Sequence, residues 1–359
     1  MSFGAAVRDW ICRLAGLAVL ACPIGEAVAE PIPAPRFERV PMQGIGNSGA
    51  LLQDRQGFIW IGSQTGLLRF DGYRTTTFGN KPGDANSLPS DEVSALVEDR
   101  GGRLWVGTRN GLARFEPETS GFTVFTPPPD PSGRENSHLI RDMASDGRNG
   151  LWLATRGGLQ HFDLATGGFR IFRHNPQRSD SLIRDNVSVL APDARGGLWV
   201  ATWPSGLHYL PADGGAFQRF DMASVRTGDS LGVNVRAMLV DRQQTLWIGT
   251  DYGIVRLKAG MNWEEREVVA PPAGTGKFRV MRFYEDAGGT LWVATLEEGL
   301  LRWDAENGHF QAFRYSRDDF SSLPANSLSA VLVDRSSTLW VTTVFGVIAR
   351  SDLAIRGIA

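Results

Sequence analysis

Leu52-Gln53-Asp54-Arg55-Gln56-Gly57-Phe58-Ile59-Trp60-Ile61-Gly62-Ser63-Gln64-Thr65-Gly66-Leu67-Leu68-Arg69-Phe70-Asp71 sets an aspartate six residues ahead of a tryptophan. The pair returns as Asp99/Trp105, Asp146/Trp152, Asp193/Trp199, Asp241/Trp247, Asp286/Trp292 and Asp334/Trp340. Successive aspartates are 45, 47, 47, 48, 45 and 48 residues apart, so the chain holds seven copies of one unit. Self-similarity at such a period marks a repeat architecture.

Within the unit, each tryptophan is followed by an apolar residue, a small one and then a hydroxyl, as in Val106-Gly107-Thr108 and Ile248-Gly249-Thr250. A glycine stands six or seven residues after it: Gly66, Gly111, Gly158, Gly206, Gly253, Gly299 and Gly346. An aliphatic stretch follows, and an aromatic segment such as Phe122–Phe125 or Phe310–Phe313 closes most units, residues 263–268 being the least regular. These segments predict four short strands per unit. Because side chains alternate along a strand, tryptophan and the tiny residue two positions on share one face, and neither face of this second strand is charged. Bulk beside a gap suits sheets stacked face to face. Seven four-stranded antiparallel sheets packed radially make an all-β, seven-bladed β-propeller. The last unit lacks an outer strand of its own, and residues 36–40 predict an N-terminal strand that completes it and closes the ring. The seven aspartates and seven tryptophans are therefore read as structural, in turns and core.

The 37 basic and 39 acidic residues leave a net charge of −2, which offers no basic stripe for nucleic acid. Eleven Trp and nineteen Phe exclude a disordered chain. Residues 1–29 read as a secretory signal peptide: Arg8 and Arg13, the apolar run Leu14–Ala21, then Ala27-Val28-Ala29. Both cysteines, Cys12 and Cys22, fall inside it, so the expected mature propeller, residues 30–359, needs no disulfide. A lipid anchor at Cys22 is the weaker reading, because Pro23 follows it.

No catalytic residue, cofactor or metal site is expected. Sialidase-type Asp boxes space Asp and Trp by five rather than six. His138, His161, His174, His208 and His309 fall at unrelated strand positions, with no ligand spacing. His161 stands where other units have arginine and is expected on the surface. No phosphate loop, dinucleotide fingerprint or nucleophile elbow occurs.

Candidate ligand residues come from loops at one rim, since loops on a rigid scaffold carry binding side chains. Seven residues ahead of each aspartate stand Asn47, Glu92, Leu139, Asn186, Asn234, Arg279 and Ser327, six of them polar. The turns between second and third strands add Arg109, Arg156, Trp203, Asp251, Tyr252, Glu297, Glu298 and Phe345. Trp203 lies outside the repeat pattern, and a flat aromatic among amides and carboxylates fits a sugar ring.

The stretch 52–71, with the lead-ins Asn86-Ser87-Leu88, Asp180-Ser181-Leu182 and Asn326-Ser327-Leu328, resembles the two-component regulator propeller repeat, over roughly residues 36–351. The resemblance implies a periplasmic sensor region of a histidine kinase or diguanylate cyclase receptor. Its relatives often respond to oligosaccharides. Such receptors usually carry two propellers, a membrane span and an output domain. This chain shows one ring, which implies an N-terminal piece of a receptor or a stand-alone module. The expected partner is a small molecule such as an oligosaccharide, with a second propeller, membrane and output domains as further partners. The alternatives are a protein-interaction scaffold and, less favoured, a propeller lyase or glycosidase.

Overall fold

The second strand of every unit is where sequence dictates most. Ile59–Ser63, Leu104–Thr108, Leu246–Thr250 and Leu291–Thr295 are buried at every residue. In a computed structural model, which describes residues 34–42, 46–129, 138–222, 224–227, 230–231 and 234–354, these strands are second in seven four-stranded antiparallel sheets. The expected signal peptide lies outside the described residues.

Blade 1 comprises Ala50–Gln53, Ile59–Ser63, Gly66–Phe70 and Thr75–Phe78. Blade 2 comprises Val93–Glu98, Leu104–Thr108, Gly111–Glu116 and Gly121–Phe125. Blade 3 runs Ile140–Ser145, Gly150–Thr155, Gly158–Asp163 and Phe169–Phe172. Blade 4 runs Val187–Pro192, Leu198–Thr202, Gly206–Leu210 and Gln218–Asp221. Blade 5 is Val235–Val240, Leu246–Thr250, Ile254–Leu257 and Glu267–Val269, its outer strand beginning only after a short 3-10 turn at Trp263–Glu265. Blade 6 is Val280–Glu285, Leu291–Thr295, Leu300–Asp304 and His309–Phe313. Blade 7 takes Leu328–Val333, Thr338–Thr343 and Ile348–Asp352 from the end of the chain and Glu38–Val40 from its beginning. In that closing pair Glu38 lies opposite Arg350 and Val40 opposite Ile348, and Glu38 accepts from the Arg350 guanidinium.

The first strands of neighbouring blades touch all round the ring, blade 7 against blade 1 included, so they form its inner wall. Each tiny residue two positions after the tryptophan receives the next blade. A Cβ on Gly62 would stand 2.6 Å from Val93 Cγ1, and one on Gly249 2.4 Å from Val280 Cγ1. Four of the tryptophans meet an aromatic ring of the following blade: Trp60 meets Phe115 at 5.0 Å, Trp105 meets Phe162 at 5.4 Å, Trp247 meets Trp303 at 5.1 Å, and Trp340 meets Phe70 at 5.7 Å. Between blades 4 and 5 the corresponding residue is Leu257. Leu210 holds the same place between blades 3 and 4, and beside Leu257 lies a cavity of about 330 Å³ lined by Trp199, Tyr209, Phe220, Leu257, Met261 and Trp263.

The aspartate and tryptophan are chemically joined. Asp54 Oδ1 accepts the backbone N–H of Gln56 and of Phe58, while Oδ2 accepts Trp60 Nε1–H at 2.7 Å. Trp105, Trp247, Trp292 and Trp340 bond Asp99, Asp241, Asp286 and Asp334 at 2.8, 2.8, 2.9 and 2.8 Å. Blades 3 and 4 use the same oxygen differently. His161 Nε2 lies 2.9 Å from Asp146 Oδ2, and the Tyr209 hydroxyl donates to Asp193 Oδ2 at 2.7 Å. His161, expected on the surface, keeps 24% of its side chain exposed while its ring is engaged. It lies directly opposite Trp152 in the ladder, its ring 4.5 Å from the indole, and takes the carboxylate.

Candidate functional site

The hydroxyl three residues after each tryptophan shapes the turn that reaches the rim. Ser63, Thr108, Thr155, Thr250 and Thr295 donate to the carbonyls of Gly66, Gly111, Gly158, Gly253 and Gly299. Thr343 instead accepts the Val347 N–H, and the buried Thr202 hydroxyl has no hydrogen-bond partner among the described residues; its turn carries Trp203 and a cis Trp203–Pro204 bond. The positions seven residues before the aspartates hold these turns from the other side. The carbonyls of Asn47, Glu92, Asn186, Arg279 and Ser327 accept the N–H of Gln64, Arg109, Trp203, Leu296 and Val344. Rim positions and turns thus form one surface at one end of the strands.

A mouth opens there at the ring's centre. One cavity of about 610 Å³ takes Asn47, Glu92, Arg109 and Trp203 into its lining. A second, of about 510 Å³, shares Trp203 and is walled by Asn186, Arg156, Arg141 and Arg236. The structure therefore brings together Asn47, Glu92, Arg109, Arg156, Asn186 and Trp203. Asn234, Asp251, Arg279 and Glu297 make a network beside it. Asp251 accepts from Asn234 Nδ2 at 2.8 Å and Arg236 Nε at 2.6 Å, and lies 3.4 Å from Arg279 Nε. Glu297 accepts the Arg279 N–H. Tyr252 and Glu298 turn to other neighbours, Lys277 lying over the Tyr252 ring at 5.6 Å and Arg314 pairing with Glu298.

Sequence reasoning missed Arg141 and Arg236, which stand five residues before Asp146 and Asp241. In six inner strands the register slips at this position, between Val93 and Ala95, Ile140 and Asp142, Val187 and Val189, Val235 and Ala237, Val280 and Arg282, Leu328 and Ala330. Each slip is a β-bulge, which re-aims a side chain and upsets strict alternation. Ser94, Arg141, Ser188 and Arg236 are the bulge residues that line the mouth. A polar residue recurring inside otherwise apolar strands was the signal available. The guanidinium of Arg236 lies 4.6 Å over the Trp203 ring, a cation–π contact.

Below the mouth the channel is crossed. Arg282 of blade 6 reaches within 3.5 Å of Asp142 of blade 3 and donates to the Gly49 carbonyl at 3.0 Å. Burial pushes the Asp142 carboxyl above the usual carboxylate range, opposed by Arg282 and by the Leu190 N–H that it accepts at 3.0 Å.

Comparisons with known proteins bear on this geometry. The extracellular domain of a protein assigned as a hybrid two component system of B. thetaiotaomicron superposes with a TM-score of 0.74 at 23% identity, over 89% of this chain and 42% of that one. The corresponding domain of an assigned one component system from the same organism gives 0.70 at 22% identity, over 88% and 39%. The chain thus spans well under two thirds of either length. Virginiamycin B lyase from Staphylococcus aureus gives 0.65 at 13% identity, over 88% of this chain and 98% of that one. At these identities the likeness is one of fold. A comparison with curated protein sequences finds no match. The family model described as two component regulator propeller matches residues 87–110 and 229–252. The blades centred on Trp105 and Trp247 carry the two-component regulator propeller repeat.

Proposed function

We propose that this chain is a ligand-binding sensor propeller of a two-component or diguanylate cyclase receptor, exported to the periplasm and taking a small molecule such as an oligosaccharide at the mouth. It acts by binding and not by catalysis. One observation carries the reading: six rim side chains from four blades, Trp203 among them, converge on one mouth. A rigid ring with variable turns presenting an aromatic plane, amides and charges has the make-up of a small-molecule site.

A thermal-shift screen of the full chain against plant, host and microbial oligosaccharides tests it. A ligand binding only the folded state raises the midpoint with concentration. The expected result is such a shift, lost in Trp203→Ala. A cooperatively melting protein that responds to no sugar would instead favour a protein-interaction scaffold. Export predicts a periplasmic form whose first residue is Glu30, read by intact mass.

A further inference from the structure

The mouth holds more positive charge than its own carboxylates answer. Arg141, Arg156 and Arg236 line a single cavity of about 510 Å³ with Asn186 and Trp203. Nearby arginines are matched: Arg109 by Glu92 at 2.9 Å, Arg236 by Asp251 at 2.6 Å, and Arg282 by Asp142 at 3.5 Å. Asp251 is already divided among Asn234, Arg236 and Arg279. Among the described residues neither Arg141 nor Arg156 has a carboxylate within ion-pair distance. Arg141 is only partly open to solvent. Burial, with the guanidiniums of Arg156 and Arg236 adding to it, holds Arg141 below arginine's ordinary pKa. A guanidinium nevertheless stays charged at any physiological pH, so deprotonation does not relieve the repulsion. An oxyanion would, because two planar forks converging on one space fit the lone pairs of a carboxylate, sulfate or phosphate.

We propose that the mouth is an oxyanion site, in which Arg141 and Arg156 donate to an acidic group of the ligand while the remainder of the ligand lies beside Trp203. The inference rests on the mouth being the ligand site and adds the charge class of what enters it. Arg236, held between Asp251 and the Trp203 ring, is a positioning residue for the indole.

The test titrates the full chain, by calorimetry and thermal shift, with trigalacturonate, galactose 6-sulfate, galactose 6-phosphate, inorganic phosphate and neutral galactotriose. These arms separate a sugar carboxylate from a sulfate ester, a phosphate ester or free phosphate. At least one anionic probe should bind, with the neutral trimer weaker, and binding should fall as salt rises from about 0.05 to about 0.5 M. Arg141→Gln and Arg156→Gln should each weaken it about tenfold or more. Arg100→Gln, in the turn at the opposite end of blade 2's second strand, should leave it unchanged. The ligand-free midpoint of Arg141→Gln should equal or exceed that of the parent, which separates lost binding from lost folding. Neutral probes binding as well as anions, arginine variants within about twofold of the parent, or no response to any anionic probe would each overturn the proposal. A neutral sugar lost in Trp203→Ala but indifferent to the arginines would remove the oxyanion site and keep the mouth. Binding indifferent to all three variants would remove both.

Discussion

At the scale of single residues, the recurrence of the Asp–Trp pair within the chain is explained by hydrogen bonds confined to one hairpin. Asp99 is fully buried and accepts from Trp105 Nε1, the Arg103 N–H and the Arg103 guanidinium. Burial alone would raise its pKa, but these donors outweigh it and leave the carboxyl below its ordinary value. A depressed folded value means that its contribution is present above the unfolded pKa of 3.8 and is lost as pH falls below it. Replacing Asp99 by Ala strands buried donors and should cost about 2–4 kcal/mol in denaturant unfolding at neutral pH. His208 supplies a second titration. Its Nε2 accepts the Ile183 N–H at 2.9 Å, so Nδ1 carries the proton and faces the Val200 carbonyl at 3.2 Å. Burial drives its pKa down from 6.5 to about 4. The neutral ring is favoured in the folded state, so stability is complete above pH 6.5 and declines as pH falls toward the folded value. About 2 kcal/mol should disappear between pH 6.5 and about 5, and His208→Gln should flatten that slope. The Asp–Trp pairs were legible because both partners lie six residues apart. His161 was not, since its partner Asp146 is reached only after the chain has doubled back.

At the scale of the strand, the four-strand unit follows from alternation and punctuation, and its turns from backbone demands. Gly158 adopts φ +127°, and a Cβ there would lie 2.4 Å from the Phe172 carbonyl oxygen. Both strain and collision oppose a side chain, so Gly158→Ala should cost about 2 kcal/mol or more in the same unfolding measurement. What alternation could not give is the bulge. A pattern of period two assigns every inner-strand residue to one of two faces, and one extra residue opposite a single partner reverses the assignment beyond it. Arg141 and Arg236 therefore came to the mouth unannounced, while Asn186, Arg156 and Trp203, placed by loops flanking regular strands, were found from spacing.

At the scale of the whole ring, the same inter-blade contact recurs and then closes the circle. Arg55 and Arg242 reach the carbonyls of Asp99 and Asp286 in the next blade, and Arg335 of blade 7 reaches Asp54 of blade 1. The Ser329 hydroxyl donates to the Ser48 carbonyl across the same seam at 2.6 Å. The outer strand Glu38–Val40 and buried Phe37 complete the joint. Deleting residues 34–42 should expose an apolar sheet edge and cost about 3 kcal/mol or more, read as a lower melting midpoint. Closure was legible because the last unit lacked its fourth strand. The meeting of Arg141 with Arg236 was not, because they stand two periods apart and only the curvature of the ring brings them together.

The pair formed by Asp142 and Arg282 spans the ring beneath the mouth. It ties blade 3 to blade 6 and, through Gly49, to blade 1, so three blades meet across the axis. If the mouth is the ligand site proposed above, a single charge pair beneath it links its occupancy to blades 1, 3 and 6 at once, on both sides of the ring.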